Sequence, residues 1–102
     1  MMTFKERLQS TERLTAHIVN IPSATVTQAI AAAGADAVIV DFEHGAIDHA
    51  SAHAMIAATA GTKCAPLVRV ADNDPTQVKR VIDPGAEGVV FQPIRNAADA
   101  PL

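Results

Sequence analysis

A parallel α/β fold is what this chain predicts, and three observations predict it. Apolar runs alternate with helical patterns along the chain, a rhythm that builds βαβ units around a parallel sheet. The run Ala37–Asp41 stays apolar until its last residue, the kind of strand that a parallel sheet buries on both faces. The apolar stock is mostly Ala, Val and Ile, with three Phe and no Trp or Tyr, which suits close packing of helices on a sheet.

The elements follow in order. FKERLQSTER (residues 4–13) reads as a short amphipathic lead-in helix, and Leu14 to Ile21 as a first strand. Pro22 and Ser23 open a helix in which Val26, Ala29, Ile30 and Ala33 fall at the spacing of one apolar face. Thr25 and Gln28 have capping-box spacing, and Gly34 is placed to stop the helix. After the second strand, Asp48 is an N-cap for a helix that Gly61 closes. Pro66–Val70 is the third strand. Asp74 followed by Pro75 starts a short helix burying Val78, Val81 and Ile82. A turn at Pro84 and Gly85 leads to the fourth strand, Gly88–Phe91, and Asn96 with Asp99 caps a further helix.

Four parallel strands with three to four helices make either half of a closed barrel or a small open sheet. A closed (β/α)₈ barrel takes roughly 200 residues or more. At 102 residues the expectation is a single domain, 1–102, with one modest core.

Composition excludes several classes. A formal charge of −3 without a basic cluster argues against nucleic acid as a partner. The opening MMTFKERLQSTER has no apolar core of a signal peptide, and AIAAAGADAVIV, broken by Gly34 and Asp36, cannot span a membrane. One cysteine, Cys64, gives neither a disulfide framework nor a thiolate cage. A cytoplasmic protein is expected.

Chemistry in such folds gathers at the carboxyl ends of the strands. The segment VIVDFEHGAID, residues 38–48, leaves the second strand there and places Asp41, Glu43 and His44 within four positions. Arg69 lies in the last positions of the third strand, Asn73 and Asp74 follow it, and Gln92 and Arg95 follow the fourth. A guanidinium can grip a carboxylate at two points, and an imidazole can move a proton near neutral pH. These groups suit a small anionic substrate. Spacing alone leaves an ordinary polar turn equally open, with Asp41 capping it and His44 solvated.

The segments AAAGADAVIVDFEHGAID, PLVRVADNDPTQVKRVIDPGAEGVV and QPIRNAADA add a resemblance. In series they resemble the N-terminal half of the metal-dependent (class II) pyruvate aldolases of the HpcH/HpaI family, the group that includes 4-hydroxy-2-oxoheptanedioate aldolase. The resemblance implies half of a (β/α)₈ TIM barrel, from an enzyme that reversibly cleaves 4-hydroxy-2-oxo acids to pyruvate and an aldehyde. It implies a divalent metal (Mg, Mn or Co) that stabilises the enolate. By position, His44 is the acid/base that moves the hydroxyl proton through a water, and Arg69 contacts the pyruvyl oxygens. Asp41 and Glu43 orient metal-bound water or the histidine. Asp83 is the carboxylate partner of the histidine. It precedes the fourth strand, at the opposite end from His44, so a shared site would take it from a neighbouring subunit.

In that pattern the two metal-binding carboxylates belong to the fifth and sixth strands. No metal ligand is therefore expected within these residues, and the chain alone is expected to be weak or inactive. The alternative is a non-catalytic half-barrel serving as an oligomerisation module or a degenerate fragment. Unpaired edges at strands one and four favour a homo-oligomer, or pairing with a chain that carries the second half. His49 and His53, four apart, read as exposed helix decoration, His17 as partly buried, and Cys64 as a small core filler.

Overall fold

The computed structural model describes residues 3–10, 12–42, 46–70, 75–82 and 85–91. They form α1 (Phe4–Leu8), β1 (Ala16–Val19), α2 (Ala24–Ala32), β2 (Ala37–Asp41), α3 (His49–Ala57), β3 (Ala65–Arg69), α4 (Pro75–Ile82) and β4 (Gly88–Val90). The strands make one sheet in the order β1-β2-β3-β4, all parallel. This sequential order is that of a barrel and not of a doubly wound sheet. A doubly wound open sheet reverses its order partway across, whereas a barrel adds each strand beside the last.

Alternation along the strands gives the sheet two unlike faces. Val19, Val38, Val40, Val68 and Val89 share one face by register, and it packs on Ala31, Ala52, Met55 and Ile56 from α2 and α3. Val38, Val40, Val68 and Val70 are fully buried. Each contributes about 1.5–3 kcal/mol relative to an exposed side chain. The other face carries Ala16, Ala37 and Ala65 in one row, Ile18, Ile39, Leu67 and Gly88 in the next, and Asp41, Arg69 and Val90 in the last. Ile18 is 55% exposed, while Ile39 and Leu67 are half-buried. A Cβ on Gly88 would stand 3.0 Å from Leu67 Cδ2, so glycine leaves room for the larger neighbour.

Helix ends explain several element bounds. Ser23, not Thr25, caps α2: its side chain accepts from the Val26 amide at 3.1 Å. The buried face of α2 is Thr27 and Ala31, with Ile30 packed against the core, while Val26, Ala29 and Ala33 are exposed. The expected stripe was rotated because alanine marks a helix face weakly. Gly34 ends the helix at φ +102°, its amide donating to Ala31 O and the Ala35 amide to Ile30 O, a Schellman motif. Asp48 caps α3 by accepting from the Ser51 amide at 2.7 Å.

Other expectations shift. The lead-in helix stops at Leu8, where the Ser10 hydroxyl donates to Arg7 O and accepts from the Glu12 amide, turning the chain away. β1 is shorter than Leu14–Ile21, and His17 on it is exposed rather than partly buried, because this edge strand buries only Val19. β3 runs Ala65–Arg69, one residue earlier than expected. Pro75 does open α4, but Ile82 is 48% exposed, beside a cleft shared with Val78 and Phe91. Asp74, the side chain of Val81, Pro84, Asn96 and Asp99 lie outside the description.

Candidate functional site

Asp41 and Arg69 are the last residues of β2 and β3 and are direct register partners. Adjacent strands lie about 4.8 Å apart, so residues in register on one face are neighbours. The guanidinium meets the carboxylate as a fork: Nε donates to Oδ1 at 3.1 Å and Nη2 to Oδ2 at 2.6 Å. The Asp41 side chain is 1% exposed and that of Arg69 24%. An ionised carboxylate so deeply buried needs a matched cation, and the two-point geometry supplies one. From amino to carboxyl end, this sheet face therefore runs from Ala through Ile and Leu to Asp and Arg.

Of the other expected site residues, Glu43, His44 and Asp83 lie outside the described residues, as do Asn73, Asp74, Gln92 and Arg95. The two ends of the segment that carries Glu43 and His44 are described. Phe42 packs its ring on His49, the first residue of α3, with centroids 5.1 Å apart and planes tilted by 41°. That contact joins the two described ends of the segment, and nothing in sequence spacing links position 42 to position 49.

Among the described residues no three His, Cys, Asp or Glu side chains gather to hold an ion, and Asp41 spends both oxygens on Arg69. These residues do not fit a divalent metal site. His49 and His53 are exposed on α3. Cys64 is buried, and burial pushes its thiol pKa up, with the Asp36 and Glu87 charges adding to the effect. A protonated, covered thiol is a poor nucleophile.

A second charged group lies at the opposite, amino end of the sheet. Asp36, just before β2, accepts from the Thr15 amide at 2.9 Å and from Arg7 Nη2 at 2.5 Å, and Lys63 Nζ stands 3.4 Å away. Arg7 also pairs with Glu12 at 2.8 Å. The Thr15 amide, then Arg7 and Lys63, hold the Asp36 carboxyl well below the usual carboxylate range. Sequence reading treated Asp36 only as a break in an apolar run. An acid directly before a buried strand was the available signal.

Sequential parallel strands, helices packed on one face and a charged pair at the carboxyl ends define half of a (β/α)₈ barrel. Residues 18–101 match the family model described as HpcH/HpaI aldolase/citrate lyase, and the chain belongs to that family. The 2-dehydro-3,6-dideoxy-6-sulfogluconate aldolase of Pseudomonas putida is 37% identical over 78 residues, covering 76% of this chain and 31% of that relative. The hydroxypyruvate/pyruvate aldolase of Roseovarius nubinhibens is 31% identical over 98 residues, covering 96% of this chain and 38% of the relative. A crystal structure of an HpcH/HpaI aldolase/citrate lyase family protein from Burkholderia cenocepacia superposes with a TM-score of 0.84 at 32% identity, covering 93% of this chain and 38% of that one. The chain thus spans 31% to 38% of the length of these relatives. Among the described residues no helix is long and apolar enough to cross a membrane.

Proposed function

We propose that this chain supplies the anion-binding and proton-transfer side of a pyruvate-type aldolase, an aldehyde-lyase acting on 4-hydroxy-2-oxo acids. The observation that carries the reading is the Asp41–Arg69 fork at the carboxyl ends of β2 and β3. Family membership and the aldolase names of the relatives support it.

In the cleavage direction a base removes the 4-hydroxyl proton, the C3–C4 bond breaks, and an aldehyde leaves. The electron pair becomes a pyruvate enolate, which is protonated at C3. His44 is assigned the hydroxyl proton, taken through a water, with Glu43 orienting the imidazole and Asp83, supplied by a neighbouring subunit, balancing its charge. Arg69 is assigned the pyruvyl oxygens, where a fixed cation offsets the enolate charge. Asp41 holds the guanidinium in the orientation that this task needs. The divalent metal (Mg, Mn or Co) expected from the family pattern finds no donor set among the described residues.

A non-catalytic reading also has an observation in its favour. Edge strand β1 leaves Ile18 exposed on the face that α2 and α3 do not cover, which suits assembly with a second copy or with a chain bearing further strands.

One assay separates the two. Pyruvate release from 4-hydroxy-2-oxo acids is measured with and without Mg²⁺, Mn²⁺ or Co²⁺, beside a titration of pyruvate onto the chain. Slow release, or pyruvate binding, that Arg69→Ala lowers by about 100-fold supports the aldolase reading. No release and no pyruvate binding leaves only the assembly module, for which sedimentation should then give a concentration-dependent mass.

A further inference from the structure

The amino-end charge cluster takes no part in the chemistry assigned above. α1 has five residues, none of them buried, and its Leu8 is 59% exposed. A helix this short does not hold itself in water, even with the reciprocal Thr3–Glu6 capping box. Something beyond the helix must keep it in place.

The side-chain links described between residues 3–15 and the later chain converge on Asp36. Arg7 reaches it from α1, and Thr15 reaches it with both amide and hydroxyl, at 2.9 Å and 3.3 Å. One residue on, the Ala37 amide donates to Thr15 O at 3.1 Å. Glu12 pairs with Arg7 inside the same segment, so that bond moves with it. Lys63, just before β3, brings a second cation to the same carboxylate. One acid thus gathers α1 and the chain leading into β1, β2 and β3.

We infer that the segment from Thr3 to Thr15 is a detachable strap, latched across the amino ends of β1–β3 by the Asp36 carboxylate and released without unfolding the sheet. Neutralising Asp36 removes the charge that ties the Arg7 guanidinium to the foot of β2 and leaves Arg7 and Lys63 as neighbouring cations, which pushes the strap away. Salt has little hold on the latch, because the Arg7 and Asp36 side chains that form it are only 12% and 9% exposed.

Hydrogen exchange of the full chain tests this. Thr15 and Ala37 amides report the latch, while the Phe42 amide bonded to Arg69 O and the Val70 amide bonded to Val90 O report the sheet. In Asp36→Asn, and in Arg7→Met, exchange at Thr15 should rise by about 10-fold or more with Phe42 and Val70 unchanged. Unchanged exchange at Thr15 overturns the inference. So does a rise shared equally by Phe42 and Val70, or loss of the fold in both variants, since each makes the segment part of one cooperative core.

Discussion

Arg69 grips Asp41 at two points across the carboxyl ends of neighbouring strands, and the acid is the more deeply buried of the two. The asymmetry has a mechanical meaning. The carboxylate is an anchor set in the sheet, and the guanidinium is the part that stands nearer to solvent. Two bonds to one carboxylate fix the guanidinium plane, which a single point charge such as an ammonium cannot reproduce.

Removal of the guanidinium should therefore cost more than removal of both partners. Arg69→Ala strands a buried carboxylate and should lower stability by roughly 3 kcal/mol. For a domain of this size that is a fall in Tm of about 12–24 °C. The double change Asp41→Leu with Arg69→Met should recover most of the loss, because it leaves no buried charge. Thermal unfolding of the three proteins checks both statements, and an Arg69→Ala chain as stable as its parent would falsify the anchor role.

Acid should destabilise the chain in a window set by its carboxylates. Asp36, Glu12, Glu6 and Asp48 all have folded pKa values held below their ordinary ones, chiefly by hydrogen bonds from Thr15, Arg7, Thr3 and Ser51 respectively. A lowered folded pKa means that the unfolded chain takes up protons first. Stability from these groups is then complete above about pH 5 and lost progressively as pH falls through the ordinary carboxylate range, near pH 4, and below. Asp36→Asn should flatten the acid limb of a stability-against-pH curve, Asp36 being the group whose pKa lies far below the normal range. An acid limb of the same slope in that variant would remove Asp36 from the account.

Much of the fold was legible because its signals are local. The unbroken apolar run bounds β2, and Asp48 and Gly34 are the cap and the stop that their residue types announce. Register was harder to read. Taking β3 one residue late would have placed Val70 beside Asp41, and a slip of one residue carries a side chain to the other face of the sheet. Both Asp41 and Arg69 were assigned to the correct end of the sheet, yet their pairing depends on that single residue. The Asp36 cluster escaped for a different reason. Arg7 lies 29 positions away in the chain, and no periodicity relates a five-residue helix to the foot of a strand.

The cap of α2 offers a small, clean measurement. Ser23→Ala should cost about 1 kcal/mol, whereas Thr25→Ala, inside the helix, should cost less. Chemical denaturation of the two variants decides which residue starts the helix. A larger loss at Thr25 would move the cap to the position that spacing alone suggested.

The single thiol reports on core integrity. Cys64 is buried just before β3, and its raised pKa keeps it protonated at neutral pH, so two effects protect it from alkylation. Iodoacetamide at pH 7.5 should label the folded chain far more slowly than the chain in denaturant. Asp36 and Glu87 both contribute to the raised pKa, but burial is the larger cause. Asp36→Asn should therefore speed labelling only slightly while the fold persists, whereas Met55→Ala should speed it strongly. Met55 is fully buried in the same core cluster, and its truncation leaves a cavity costing about 2–5 kcal/mol, enough to raise the fraction of open molecules that expose the thiol. Rapid labelling of the unaltered chain would place Cys64 outside that core.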